Sequence, residues 1–232
     1  MRARFTVMAA GAAVAAVVLL GVGGADPAFA GVCGVPPQAA VVEIDVSKPE
    51  VVFDHSRSKA ELTRLASEEY GYGHGVGTIV FGLTTGVIRA QLSVQTLTRE
   101  RSDGVYCVWP GQVVATVAFE GPIAVHVARE YPKGTCQHRA VLRHEMEHVE
   151  VYQASMRDYE KRLRKALERA IDKGKFPVTD RKRDKIDAEM RAYFQSAFRR
   201  AVAEAESERD RLNARVDTPE GYRRTRDLCD SW

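Results

Sequence analysis

The sequence has little net charge and few histidines or cysteines. Its 34 Lys and Arg residues nearly balance 31 Asp and Glu residues, for a formal net charge of +3. This balance argues against a nucleic-acid-binding protein, whose surface is strongly basic. With 45% hydrophobic and 28% charged residues, the composition is that of a globular protein and not of a disordered chain. No internal repeat is evident.

Long apolar runs are also missing, apart from one at the N-terminus. Two arginines precede an almost unbroken Ala/Val/Leu/Gly stretch from Met8 to Leu20, and the small-x-small site Ala28-Phe29-Ala30 follows. This pattern predicts a signal peptide over residues 1–30 and export to the periplasm or the cell exterior. The run is shorter and richer in Ala and Gly than the roughly 20 apolar residues of a membrane span, which disfavours an uncleaved anchor. We expect no stable membrane insertion after cleavage.

The four cysteines lie in the predicted mature chain, at spacings too wide for a zinc ribbon. An even number of cysteines in an exported protein favours two disulfides over free thiols. Three pairings are possible, and the sequence does not select among them. We favour Cys107 with Cys136, near the predicted site, and Cys33 with Cys229, which would join the two ends.

The pattern of apolar residues changes after Thr135, a predicted helix N-cap. Before it, short β-branched runs and turn residues predict strands; after it, a helical stripe extends to Lys173-Gly174, and a second helix extends from near Thr179 to about Val216. Because a short turn joins the two helices, we expect them to pair antiparallel. The predicted fold is one α+β domain, with an antiparallel sheet in residues 31–135, a helical hairpin over 136–216 and a C-terminal tail over 217–232.

The segment Arg143 to Val149 contains the spacing His-Glu-x-x-His within the first predicted helix. With 3.6 residues per turn, His144 and His148 lie on one face, where both imidazoles can bind one tetrahedral ion. Glu145 lies beside them, and a carboxylate there can accept a proton from a water whose pKa zinc has lowered to about 7. The motif predicts hydrolysis with Zn²⁺ as cofactor, His144 and His148 as ligands and Glu145 as general base.

A catalytic zinc takes three protein ligands, and no histidine follows His148 to supply the third. The remaining common solution is a carboxylate from the second helix. A turn centred near residue 176 would place His148 opposite Glu204, which continues an apolar stripe on which an unpaired carboxylate costs several kcal/mol. Glu204 is therefore the first choice for the third ligand, and Glu208 and then Glu206 are the alternatives.

With these residues the chain resembles the gluzincin-type metallopeptidases, in which His-Glu-x-x-His on one helix is completed by a glutamate from a later helix. It also resembles a bacterial family described as secreted zinc-dependent proteases. The specific part of the resemblance covers about Cys136 to Tyr152. Glu147 departs from the pattern, because such families often carry a small or apolar residue there, so its side chain must point outward.

The resemblance implies a zincin-like domain and a peptide or polypeptide substrate. In zincins the strand before the motif helix binds the substrate as an added strand, and that segment here is Pro122 to Val127. His126 on this segment and Tyr152 on the motif helix are secondary candidates for donors to a developing oxyanion. Both are more often packing residues.

The sequence thus predicts an exported zinc-dependent hydrolase, with a peptidase as the favoured class. The alternative is a non-catalytic cell-envelope protein whose helical hairpin binds a partner, with a structural metal or none. Charged runs on the helices, such as Lys161 to Arg164, are interpreted as solvated faces. The sequence does not specify the substrate, the cleavage preference or the oligomeric state.

Overall fold

The computed structural model describes residues 33–70 and 79–232. The signal peptide predicted over residues 1–30 lies outside the described residues, as does His74. The fold class is α+β, as predicted. None of the described helices is both long and apolar enough to cross a membrane. In chain order the elements are β1 (Val41–Val46), β2 (Val51–Asp54), α1 (Lys59–Tyr70), β3 (Gly82–Thr85), β4 (Ile88–Glu100), β5 (Tyr106–Phe119), β6 (Ile123–Val127), α2 (Cys136–Lys173), β7 (Val178–Asp180), α3 (Arg183–Val216) and α4 (Pro219–Arg226).

The strands form two mixed sheets, so the prediction of an antiparallel sheet is wrong in its strand directions. In the first sheet β5 pairs antiparallel with β4 and β7 but parallel with β1. In the second sheet β6 lies between β2, to which it is parallel, and β3, to which it is antiparallel. Side chains alternate between the two faces in either kind of strand, so the residue pattern carried little information about direction.

The main core lies between the first sheet and the buried faces of α2 and α3. Strand β5 contributes Val113, Ala115 and Val117, none of which is exposed. The helices contribute large side chains, each worth about 1.5–3 kcal/mol when fully buried: Tyr152, Tyr159, Leu163, Leu167, Phe194 and Phe198. This packing fixes the orientation of α2, and with it the face on which the His-Glu-x-x-His turn lies.

Helix α2 begins where the sequence predicts, because Thr135 caps it. The Thr135 side chain accepts a hydrogen bond from the backbone N–H three residues later. Helix α3 packs along α2: the Tyr193 hydroxyl donates to the Ala170 carbonyl at 3.0 Å, and Asn213 Oδ1 lies 3.0 Å from His148 Nδ1. The two helices run in opposite directions, so the first turns of α2 face the end of α3.

Two disulfides form, as predicted, but the favoured pairing is wrong. Cys33 pairs with Cys107, and Cys136 pairs with Cys229, so no cysteine in the described chain is free. Cys107 lies on β5, where it packs with Cys33 and Trp109 in a small apolar cluster. The chain after α3 instead returns to the start of α2, and the Cys136–Cys229 bond holds it there. The spacing of the cysteines along the chain does not show which segments meet in the folded protein.

Candidate metal centre

His144 and His148 lie one turn apart on α2, both buried, and Asp217 meets them from the end of α3. Asp217 Oδ1 lies 3.3 Å from His144 Nε2 and 3.1 Å from His148 Nε2. One ligand atom from each of the three side chains lies within 4.8 Å of the other two. Two imidazole nitrogens and one carboxylate oxygen are a donor set that Zn²⁺ accepts.

Local structure holds Asp217 at this point. It is the C-cap residue of α3, and Thr218, the next residue, is the N-cap of α4. A Cβ on Gly221 would lie 2.4 Å from the Val216 carbonyl oxygen, so the two helices can approach this closely only with glycine there. The Tyr222 hydroxyl, in the first turn of α4, donates to Asp217 Oδ1 at 2.8 Å.

The second nitrogen of His148 is also held. Its Nδ1–H donates to Oδ1 of the buried Asn213, at 3.0 Å. In the neutral imidazole this hydrogen bond selects the tautomer whose Nε2 lone pair faces Asp217 and His144. A backing hydrogen bond of this kind orients metal-ligating histidines and makes them better donors.

Charge in the site favours binding of a cation. Burial alone lowers the pKa of His148, but the hydrogen bond and charge of Asp217, together with the charge of Glu145, raise it to about 9. Burial alone raises the pKa of Asp217, but the hydrogen bonds from His144 and His148 hold it well below its usual range. Without a metal, a proton on His148 therefore balances the Asp217 carboxylate. The residues present fit a divalent cation that would replace this proton.

Glu145 lies next to the triad and is only 4% exposed. Thr84 on β3 donates to it: the Thr84 Oγ1 is 2.9 Å from Glu145 Oε2 and 3.0 Å from the Glu145 carbonyl oxygen. Burial raises the pKa of the Glu145 carboxyl, and the nearby His148 and His144 oppose that rise. A carboxylate with a raised pKa is better suited to accept a proton near neutral pH.

Strand β3 approaches Glu145 closely because residue 82 is glycine. A Cβ on Gly82 would lie 2.6 Å from Glu145 Oε1 and 2.5 Å from Val141 Cγ1. Real Cβ atoms essentially never come so close to another heavy atom. Gly82 and Thr84 together determine where the Glu145 carboxylate lies.

These residues open onto a cleft of about 720 Å³, here called the metal-site cleft. Its lining includes His144, Glu145, His148 and Asp217. The Phe81 and Trp232 rings stack in its wall with 5.8 Å between their centroids. The remaining apolar lining includes Ile79, Leu83, Val141 and Pro219. A polar centre in a largely apolar concave site is the usual form of a small-molecule or peptide site.

No known protein family, curated protein or solved structure matches the chain.

The structure does not bring Glu204 to the histidines. Its side chain is 65% exposed and lies 3.4 Å from Arg162. Glu208 accepts a hydrogen bond from Arg211. Glu206 is half-buried on another part of α3, where burial raises the pKa of its carboxyl. The choice of Glu204, with Glu208 and Glu206 as alternatives, is corrected to Asp217 as the carboxylate that meets the motif.

The predicted register explains the error. Between the two helices lies β7, which pairs with β5, so the connection is longer than the predicted turn near residue 176. The centre of pairing between the helices therefore lies near Asp180, beyond residue 176, and His148 faces Asn213 instead of Glu204. Asp217 falls in the predicted tail, although Thr218-Pro219, an N-cap residue followed by proline, is typical of the start of another helix.

The secondary candidates His126 and Tyr152 both form hydrogen bonds within the fold. His126 Nδ1 lies 3.0 Å from Asp54 Oδ2, and Tyr152 donates to the Gly86 carbonyl at 3.3 Å while lining the metal-site cleft.

Strand β6 is the central strand of its sheet and has a partner on each edge, so it offers no edge to a substrate, contrary to the expectation for Pro122 to Val127. Glu147 is exposed, as the resemblance required.

Proposed function

We propose that this protein is an exported zinc-dependent hydrolase and, within that class, a peptidase. The observation that carries the proposal is the convergence of His144, His148 and Asp217 in a cleft beside a buried carboxylate, Glu145. A structural zinc site is usually closed by four protein ligands, whereas a catalytic site keeps a position open for water or substrate. Three ligands beside a proton acceptor fit the catalytic arrangement.

His144 Nε2, His148 Nε2 and Asp217 Oδ1 would hold the metal. Zinc, when bound, supplies a Lewis acid and lowers the pKa of a water molecule to about 7. Asn213 keeps the His148 ring in its ligating tautomer, and Tyr222 holds the Asp217 carboxylate. These two residues position the ligands and take no part in bond breaking.

Glu145 acts as the general base in this proposal. It accepts a proton from the attacking water and returns it to the leaving amine, a role worth about 10²–10⁴ in rate. The hydrogen bond from Thr84 restricts the rotation of the carboxylate, so that the proton acceptor is placed before the substrate arrives.

A peptide is the favoured substrate because β3 is an edge strand that lines the cleft. In the described chain β3 pairs with β6 on one side, and Gly82, Leu83 and Thr84 line the metal-site cleft. An extended peptide can add to such an edge through main-chain hydrogen bonds, with alternate side chains directed into pockets. Phe81 and Trp232 would then bind an apolar side chain of the substrate. This replaces the earlier expectation that Pro122 to Val127 binds the substrate.

Export is supported by the two disulfides, which fit an oxidising compartment and a secreted protein. Both cross-links join segments that are far apart in the chain. They would form and persist outside the cytoplasm, where the thiol-reducing systems are absent.

The decisive experiment compares Glu145→Gln with Glu147→Gln in the chain from Gly31 onward. Glu147 is an exposed residue of the same helical turn, so its variant is a matched control. We expect about one zinc per chain in both variants, with hydrolysis of an unfolded protein substrate reduced by roughly 10²–10⁴ only in Glu145→Gln. Protein that binds no zinc would contradict the metal site. Zinc bound without hydrolysis in the unmodified chain would instead support the non-catalytic alternative.

A further inference from the structure

A second groove lies between α2 and α3, well away from the metal-site cleft. Its lining residues on α2 extend from Asp158 to Lys173. Along α2, Lys161 lies about 20 Å from His148, at 1.5 Å per residue. We call it the basic groove, because six of its lining residues are cationic and two are acidic: Lys161, Arg162, Lys165, Arg169, Lys173 and Arg200, with Asp158 and Glu204.

Four of these cations form one row on α2. Lys161, Lys165, Arg169 and Lys173 follow one another at intervals of four residues and all are exposed. Such residues are neighbours on a helix surface, about 6 Å apart, and the row is about 18 Å long. Like charges four residues apart destabilise a helix by about 0.2–0.5 kcal/mol per pair, so this row is unfavourable without a counter-charge.

The row forms no ion pair with the part of the chain that the structure describes. Across residues 33–70 and 79–232, no carboxylate lies within ion-pair distance of Lys161, Lys165, Arg169 or Lys173. Both acidic residues of the groove are already engaged, because Asp158 and Glu204 each contact Arg162. Neither carboxylate of the groove therefore forms an ion pair with the four-residue row.

The shape of the groove suits a single chain. Its floor consists of small residues from both helices: Ala166, Ala170, Ala197 and Ala201. The groove has a volume of about 650 Å³ and follows the roughly 18 Å row. Its elongated form matches an extended single chain better than a nucleic-acid duplex or a flat bilayer surface. Tyr193, 41% exposed, adds an aromatic surface to the lining.

We propose that the basic groove binds one linear polyanion, namely a phosphodiester polymer of the cell envelope. Each repeat of such a polymer carries one negative charge, which matches a row of evenly spaced cations. Phosphate oxygens accept charge-assisted hydrogen bonds from Lys and from the Arg169 guanidinium. The choice of an envelope polymer rests on the proposed export, while the binding of a polyanion rests on the groove alone. Bound there, the protein would be held at the envelope with its metal-site cleft free.

The test uses the chain from Gly31 onward and a labelled poly(glycerol phosphate) as the probe. The groove variant is Lys165→Gln with Arg169→Gln. The control variant is Arg191→Gln with Arg199→Gln, which removes the same charge from exposed positions outside the groove. We expect the groove variant to bind roughly tenfold more weakly and the control to bind like the unmodified chain. Between 50 and 200 mM salt, the slope of log affinity against log salt should become shallower by about 1.4 in the groove variant alone.

Three further probes decide the kind of partner: single-stranded DNA, a poly-glutamate peptide and vesicles containing phosphatidylglycerol. Preference for poly(glycerol phosphate) over all three supports the proposal. Preference for DNA would overturn the envelope assignment, preference for poly-glutamate would overturn the phosphodiester chemistry, and preference for the vesicles would overturn binding of a single polymer. Equal weakening of both variants would show a general charge effect and no groove site. Because these are binding measurements, their outcome does not depend on whether the chain hydrolyses peptides.

Discussion

Asp217 Oδ1 lies 3.1 Å from His148 Nε2, although 69 positions separate the two residues in the chain. The contact joins the start of α2 to the residue that ends α3. It also depends on the C-terminal segment, because Tyr222 of α4 donates to the same Asp217 oxygen. The candidate metal centre is therefore built by two helix ends and the short helix that follows them.

Replacing Asp217 by Ala should weaken zinc binding by more than the roughly 10–100-fold that the loss of an outer hydrogen-bond partner costs, because a ligand itself is removed. Glu204→Ala is the matched control, since Glu204 lies exposed beside Arg162. Zinc affinity, measured by competition with a chelator, should be unchanged in that control. A loss of zinc in Glu204→Ala and not in Asp217→Ala would restore the ligand first chosen from the sequence.

Gly82→Ala should reduce hydrolysis without removing the metal. The added Cβ would lie 2.6 Å from Glu145 Oε1, so either the carboxylate or β3 has to move. A displacement of about 1 Å in an active site can cost up to about 100-fold in rate. Zinc content and kcat/KM are measured together. Gly86→Ala is the control, because its added carbon would meet the Phe119 ring at 3.1 Å and Ile123 Cγ1 at 3.5 Å, and not Glu145. Unchanged kcat/KM in Gly82→Ala would argue against Glu145 as the base.

Zinc binding should release a proton at neutral pH. In the metal-free protein the pKa of His148 is about 9, whereas zinc requires the neutral imidazole. Affinity should then increase about tenfold per pH unit between pH 6.5 and 8, and calorimetry in buffers of different ionisation enthalpy should detect about one proton released per zinc. Affinity that does not change over this range would contradict the assignment of His148 as a ligand.

The same pKa shift affects the stability of the metal-free protein. Because the folded pKa of His148 lies above the unfolded value of about 6.5, the stabilisation is fully present below pH 6.5 and is lost as pH rises towards 9. The melting temperature of metal-free protein should fall across this window. In His148→Gln the fall should be smaller, which a pH series of thermal unfolding curves measures.

Removing the Cys136–Cys229 disulfide should affect the metal centre as well as stability. This bond closes 93 residues and holds the segment after α4 against the start of α2, so its loss should cost about 2–5 kcal/mol and weaken zinc binding. The Cys33–Cys107 bond closes 74 residues and joins the segment before β1 to β5. The Cys33→Ser, Cys107→Ser variant should lose similar stability yet keep its zinc affinity. Equal zinc affinity in the two double variants would show that the C-terminal tail does not support the metal centre.

The parts of the fold that the sequence predicts well are those controlled by neighbouring residues. Thr135 caps α2 through a hydrogen bond that spans three residues, and the helical spacing of His144 and His148 places them on one face. The strand directions were predicted poorly, because β1 and β2 pair in parallel with strands far along the chain. Such pairings are set by the packing of whole elements.

By itself, the sequence determined the α+β class, the presence of an even set of cysteines and the turn that carries His144, Glu145 and His148. Only the tertiary structure decided which cysteines pair, which strand lines the cleft and which carboxylate meets the histidines. The register of α3 against α2 depends on how β7 pairs with β5 across the connection, and it places Asn213, nine residues after Glu204, opposite His148. Asp217 completes the site because α3 ends where α2 begins, a relationship that exists only once the helices have packed.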